Sequence, residues 1–333
     1  MITIQRVMGV RKFTAVLALA ATALLPQFAS AQQGPYPNRN GKIIAPYAPG
    51  GTVDAMARAF AQAYTTSLGK TFITENRPGA GGNIGLGALA RSPADGYTLG
   101  IGAANMLAAN RWLYTSLPFD SLKDFTPVAF IGRVPFVLVV NPTVPAHNLK
   151  ELLALMKSKK MDFNYGSSGV GNTAHLFGEL FKYRAGVDMQ HIPYKSSGEA
   201  LTEVVAGRLQ LQFVTPVELM PQLSRGAVRP IAVAAPQRLA TLPDVPTLTE
   251  LGMPGFESPT WFGIIAPAGT PKEIITLLNQ ETYKAMDTPT VKARLTAAGV
   301  ERADMTPEQF RAFIVEEISR WESIVKQSGT RIE

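Results

Sequence analysis

From Lys42 onward, short apolar runs alternate with longer stretches whose apolar positions recur every three or four residues. The short runs predict buried strands and the longer stretches predict amphipathic helices. Residues 42–47 read as a strand and Pro49-Gly50-Gly51-Thr52 as a turn. Residues 54–68 follow as a helix with Met56, Ala59, Phe60, Ala63 and Ser67 on one stripe, and Gly69 stands just past its end. Residues 71–75 form a second strand. The glycine loop Arg77-Pro78-Gly79-Ala80-Gly81-Gly82 leads into a helix of small residues ending at Arg91, and 97–103 is a third strand. This alternation implies parallel strands joined by right-handed crossovers.

Residues 118–135 are less regular, with strands expected over 128–131 and 136–140. Asn141-Pro142 ends the second of these, and the alternation starts afresh. A helix capped by Asn148 runs to 156, a strand covers 163–165, and Gly166-Ser167-Ser168-Gly169-Val170-Gly171-Asn172 is a loop. A helix over 173–185 turns Leu176, Phe177, Leu180 and Phe181 inward. A strand over 189–192, a helix over 199–206 closed by Gly207, and strands over 211–214 and 231–234 complete this unit. The stretch punctuated by Pro236, Pro243, Pro246, Pro254 and Pro259 has too little periodicity for a core element and reads as a return linker. One more strand, 261–266, precedes amphipathic helices over 271–286, 288–298 and 306–327. These helices have no sheet of their own and are expected to pack on the first unit. The chain then crosses between two α/β units near 133–141 and near 250–262, which makes a hinge with a cleft beside it.

The N-terminus changes where this chain is expected to work. Arg6, Arg11 and Lys12 precede the apolar run 13–25, Pro26 breaks it, and Ala29-Ser30-Ala31 gives the small-x-small pattern of a signal-peptidase site. A secretory signal peptide over 1–31, cleaved after Ala31, predicts a periplasmic protein. The expected domains are 32–135 together with 254–333, and 136–253. The segment carries three basic residues and no acid, so the net charge of +7 falls to +4 without it. The remaining basic residues are scattered without interleaved aromatics, which argues against nucleic acid. Hydrophobic residues at 46% supply real cores and exclude wholesale disorder. With no cysteine and only His147, His175 and His191, neither thiolate chemistry nor a recognisable metal-ligand motif is present. No cofactor is expected.

Two loops share one design. Pro49-Gly50-Gly51-Thr52 and Ser167-Ser168-Gly169-Val170-Gly171-Asn172-Thr173 each leave a strand and open a helix. Unpaired N–H groups at a helix start, with the positive end of the helix dipole, form an anion seat. One seat per unit, facing one cleft, suits an organic acid gripped from both sides. Catalytic motifs fail. A nucleophile elbow needs glycine where Val170 stands, and Gly69-Lys70-Thr71 lacks the first glycine of a phosphate loop because Tyr64 is there. A secreted serine hydrolase using Ser168 and His175 remains the alternative to a binding protein, although a histidine at that position more often serves as a structural hydrogen-bonder.

The blocks Pro49-Gly50-Gly51-Thr52-Val53-Asp54, Glu75-Asn76-Arg77-Pro78-Gly79-Ala80-Gly81-Gly82 and Ala94-Asp95-Gly96-Tyr97-Thr98-Leu99 resemble the Bug family, the periplasmic receptors of tripartite tricarboxylate transporters. Tyr165-Gly166-Ser167-Ser168-Gly169, His175-Leu176, Pro193-Tyr194-Lys195, Leu242-Pro243-Asp244-Val245-Pro246-Thr247 and Ala266-Pro267-Ala268-Gly269-Thr270-Pro271 continue the resemblance across the exported chain. It implies an α/β type II periplasmic-binding-protein (Venus flytrap) fold of two domains and two hinge crossings, with a small mono- or dicarboxylate as ligand and no catalysis. It also implies a monomer that serves an inner-membrane transporter or a sensor. Carried onto this chain, the ligand residues would be Tyr47, Pro49, Gly50, Gly51 and Asp54 in the first loop, with Ala104 and Asn105 closing the near wall. Ser167, Ser168, Asn172 and Thr173 would form the second loop, with Tyr194, Lys195 and Thr215 on the far wall. Asp54 could equally cap its helix, and Lys195 could be a solvated charge. Many relatives carry an acid just after the phenylalanine matching Phe213, where this chain has Val214 and then Thr215. A carboxylate to pair with a cationic ligand is therefore expected to be missing, which favours plain acids over amino acids.

Overall fold

The computed structural model describes residues 35–257 and 260–328. The signal segment and its cleavage point lie outside the described residues. Among them, no helix is long and apolar enough to cross a membrane.

β1 (Gly41–Ala45) pairs in parallel with β2 (Phe72–Asn76) on one side and with β3 (Thr98–Ala103) on the other. The connections are α1 (Thr52–Leu68) and α2 (Asn83–Ala90). α1 buries Met56, Ala59, Phe60 and Tyr64 and ends at Gly69 in the left-handed conformation. The rest of the sheet comes from distant sequence. β10 (Thr260–Pro267) inserts antiparallel between β3 and β4 (Phe125–Val134), giving the order β2-β1-β3-β10-β4. β4 is longer than its apolar run because β10 supplies a partner along nearly all of it.

The chain leaves this sheet through Pro135 alone. β5 (Phe136–Val140) begins the second sheet, whose order is β7-β6-β8-β5-β9. β6 (Asn164–Ser167) pairs in parallel with β7 (Gln190–Pro193) and β8 (Leu211–Val214). β5 runs antiparallel to β8 and to β9 (Arg229–Ala234). Helices α4 (Leu149–Lys157), α5 (Thr173–Ala185) and α6 (Ser197–Val205) follow β5, β6 and β7. The return from β9 to β10 is the second crossing, so two α/β lobes share a two-strand hinge.

Two aromatic clusters centre the lobes. Trp261 on β10 lies among Phe130, Phe310 and Phe313, with ring centroids 5.3–6.2 Å away. Phe310 and Phe313 belong to α10 (Pro307–Ser328), which packs on β4 together with α8 (Lys272–Asp287), while α9 (Pro289–Ala297) packs on α8 and α1. In the second lobe, Phe213 of β8 meets Phe177, Phe181 and Phe256.

Phe256 shows that the proline-rich return is more than a linker. It buries Leu242, Leu248, Met253 and Phe256, and Thr247 bridges to Val233 beside β9. Proline breaks periodicity without preventing single anchor residues from reaching the core. Two helical stretches also escaped the pattern. The chain from Asn105 winds through a wide turn into the short helix α3 (Asn110–Leu113). α7 (Pro216–Leu223) follows β8 directly.

Candidate functional site

The loops after β1 and β6 face each other across the cleft. Between them lies a cavity of about 60 Å³ lined by residues of both lobes. Seven predicted residues line it: Tyr47, Gly51, Asn105, Ser168, Asn172, Thr173 and Thr215. Thr52, Ser197, Glu218, Thr260 and the rings of Phe136 and Phe262 join them. None of the described lining residues is lysine, arginine or histidine.

The other predicted residues stand behind this wall or outside it. Asp54 Oδ2 accepts from the Gly50 N–H (3.1 Å) and from Arg58 (3.0 Å), while Oδ1 accepts from Asn76 (2.9 Å). Burial acts to raise the Asp54 pKa, but the hydrogen bonds from Arg58, Asn76 and Gly50 outweigh it and hold the carboxyl below its ordinary value. Asp54 thus shapes the first loop from behind, while Pro49 and Gly50 are exposed. Ala104 is fully buried beneath the wall. Ser167 is also fully buried; its Oγ meets His191 Nε2 (2.7 Å), Asn172 Nδ2 and the backbone of Gly169. The Tyr194 ring packs against the second lobe's aliphatic core. Lys195 is exposed, and only its backbone takes part: its N–H donates to Glu199 and its carbonyl accepts from Ala48 N–H across the cleft.

Each wall is fixed by its own bonds. The Tyr47 hydroxyl donates to the Gly81 carbonyl (2.9 Å), and Asn105 Nδ2 donates to the same oxygen (2.8 Å). Burial pushes the Tyr47 phenol up, so it stays neutral. In the second loop, Asn172 caps α5 by accepting from His175 N–H (2.9 Å), and its Nδ2 donates to Ser168 Oγ (3.0 Å). The Ser168 hydroxyl hydrogen is then free for another acceptor. The amides of Thr173 and Ala174 lie in the first turn of α5, where no carbonyl of the same helix reaches them.

Direct bonds also join the lobes. Thr52 Oγ1 meets Thr215 Oγ1 at 2.7 Å, Thr173 Oγ1 meets Thr260 Oγ1 at 3.1 Å, and Tyr114 donates to the Val170 carbonyl at 2.8 Å. Ser168 and His175 form no pair. His175 Nδ1 accepts from Gly171 N–H (3.1 Å), a structural bond that commits this nitrogen away from Ser168.

Sequence reasoning missed Glu218, which brings a carboxylate to this cavity despite Val214 and Thr215 in β8 and just after it. The residue sits one turn into α7. The signal was present: Thr215-Pro216-Val217-Glu218 is a capping box with proline at the first helical position. Burial raises the Glu218 pKa against the hydrogen bonds it accepts from Thr215, Ser197 and Thr52.

Two lobes, two crossings and a cleft lined from both sides define a solute-binding protein of type II topology. A family model, tripartite tricarboxylate transporter family receptor, matches residues 56–330, and the chain belongs to this family. Protein BugT of Bordetella pertussis is 37% identical over 299 residues, covering 90% of this chain and 92% of that protein. R. palustris Rpa4515, solved with adipate, superposes with a TM-score of 0.84 at 36% identity, covering 88% of this chain and 98% of that one. MatC (Rpa3494) from Rhodopseudomonas palustris, solved with bound malate, gives 0.82 at 33% identity, covering 87% and 100%.

Proposed function

We propose that the protein is a periplasmic receptor that closes on a small organic carboxylate and delivers it to a tripartite tricarboxylate-type transporter in the inner membrane. The observation that carries this reading is a cavity bounded by two helix starts from two lobes, with hydroxyl and amide donors and, among the described residues, no cation in its lining. Relatives solved with adipate and malate support the ligand class. Exported receptors of this family are periplasmic, and the Ala29-Ser30-Ala31 pattern fits that placement. The protein works by binding and release: Ser167, paired with His191, is fully buried and outside the cavity lining, and Ser168 has no base among the described residues. On this reading the moving bodies divide at Pro135 and between Phe256, which packs in the second lobe, and β10, a few residues later than the expected division at 253/254.

The ligand carboxylate is held on the second loop by the Ser168 hydroxyl and the amides of Thr173 and Ala174. Hydrogen bonds to charged groups contribute roughly 1.5–3 kcal/mol each. Losing one weakens binding by about tenfold or more. Calorimetric titration with the tightest acid from a panel of small mono- and dicarboxylates tests this. Ser168→Ala should weaken binding about tenfold, while Lys195→Ala should leave it within about twofold. If Lys195→Ala abolishes binding and Ser168→Ala does nothing, the site is an ion pair elsewhere on the second lobe.

A further inference from the structure

The first-loop seat is occupied by the protein's own acid. Glu218 belongs to the second lobe, yet its carboxylate reaches across to the start of α1. It bonds to the backbone of Thr52, and its Oε1 lies 3.6 Å from where a Cβ on Gly51 would stand. The α1 start gives its positive dipole end to this carboxylate. Gly50 N–H is already committed to Asp54.

The hydrogen-bond directions around Glu218 settle what is left for a ligand. Glu218 Oε2 accepts from Thr215 N–H (3.1 Å), the Thr215 hydroxyl (2.8 Å) and the Ser197 hydroxyl (3.1 Å). Gln212 Nε2 donates to Ser197 Oγ (3.0 Å), which leaves the Ser197 proton for Glu218. Since the Thr215 proton is spent on Glu218, the 2.7 Å contact between Thr52 and Thr215 needs its proton from Thr52. The Thr215 hydroxyl is therefore spent on Glu218 and the Thr52 hydroxyl on Thr215, so neither proton is left for a ligand. A capping box alone would need only the Thr215 backbone N–H. The added donors from Ser197 and Thr52 and the exposure to the cavity show a carboxylate serving the cleft as well as its helix. In the second-lobe half, the Ser168 hydroxyl and the α5 amides still face the cavity. Among the described residues, no lining cation offsets a second negative charge beside Glu218.

We infer that Glu218 sets ligand specificity by filling the first of the two anion seats, so that the receptor takes an acid with a single carboxylate whose far end carries no negative charge. The acid's carboxylate lies on Ser168, Thr173 and Ala174, and its far end lies towards Thr52 and Glu218. A dicarboxylate would place its second charge against Glu218, whose Oε2 accepts from three donors as an ionised carboxylate does, and like charges at close range in a cleft repel. This inference rests on the carboxylate-receptor reading and narrows it.

Matched acids that differ by one charge provide the test: succinate with succinamate, glutarate with glutaramate, and adipate with adipamate. Each is titrated by calorimetry at pH 8 into the parent protein, Glu218→Ser and Glu218→Gln. Glu218→Gln keeps the side-chain length and the acceptor for Thr215, so it stays folded even where Glu218→Ser does not. The parent should bind the monoamide of at least one pair ten- to a hundredfold tighter than its diacid. Both variants should lose that preference, mainly by gaining affinity for the diacid. A parent that binds a diacid as tightly as its monoamide, or a preference unchanged by Glu218→Gln, overturns the role of Glu218 and leaves the carboxylate receptor standing. Absence of binding by every acid in the parent and both variants overturns the receptor reading itself, and this inference with it.

Discussion

Acidification from pH 6.5 to 4.5 should cost the folded protein about 3–5 kcal/mol through two histidines that lie directly beneath the second ligand loop. His175 and His191 pack with their rings tilted by 35° and centroids 4.1 Å apart, and Tyr165 packs on both. Burial pushes His175 down to about 4, with Glu179 opposing and Lys182 assisting. Burial, then the neighbouring His175 and Lys182, push His191 down to about 3. Both values lie below the ordinary 6.5, so the unfolded chain binds protons that the folded chain refuses. Their contribution is complete above pH 6.5 and is lost as the pH falls towards the folded values. Each unit of pH in that window costs about 1.4 kcal/mol per histidine, less where His191 is partly solvated. Glu218 and Glu317, whose pKa values burial raises, act with the opposite sign close to their own titration. The comparison must therefore be made between proteins. Denaturant unfolding at pH 6.5, 5.5 and 4.5 should show a steep loss in the parent and a clearly shallower one in a His175→Asn, His191→Gln double variant. Equal slopes would mean that the imidazoles are solvated and the packing beneath the loop is wrong. The loop should feel the acid as well, because a proton on His175 Nδ1 removes the acceptor for Gly171 N–H.

The strands β1–β3 and β5–β9 and most helices were legible because each is a short apolar run or a 3.6-residue stripe closed by glycine or a cap. The partnership of β10 with β3 and β4 was not, since nothing in residues 260–267 says which sheet they join. Pairing across more than a hundred residues is decided by which edge is left open. The two ligand loops were legible as glycine-bearing strand-to-helix turns, and the structure brings both to one cavity. Their individual residues were harder. A polar residue in such a loop can face the ligand, like Ser168, or hold the loop from behind, like Asp54 and Ser167. Backbone direction decides between these roles, and it changes with every residue of the turn. Glu218 was hidden for a different reason. The capping box that precedes it is a helix signal, and helix signals are not ordinarily searched for ligand contacts.

Closure itself depends on one glycine, and Gly81→Ala should lower ligand affinity about a hundredfold. Gly81 belongs to the loop after β2 and has φ of 60°, where a Cβ is disfavoured. A Cβ there would lie 2.5 Å from the Val170 carbonyl oxygen and 3.2 Å from the Tyr114 hydroxyl. Val170 belongs to the opposite lobe, and its carbonyl is the acceptor for Tyr114 when the lobes meet. The obstruction is backbone and cannot rotate away, so the lobes must stand apart. That separation loosens the hydrogen bonds between the lobes together with both halves of the ligand site. Backbone strain costs about 1–3 kcal/mol by itself and must be separated from the clash. Gly186, at the end of α5, supplies the control: its φ is also 60°, and a Cβ there meets nothing within 4 Å. Gly186→Ala should therefore lose comparable stability and keep its affinity. Calorimetry with the tightest carboxylate, paired with small-angle scattering, reads both consequences. Gly81→Ala should bind weakly and remain expanded when ligand is added, while Gly186→Ala should bind and contract as the parent does. Normal affinity in Gly81→Ala would show that the ligand is held by one lobe and that contact between Gly81 and Val170 plays no part in binding.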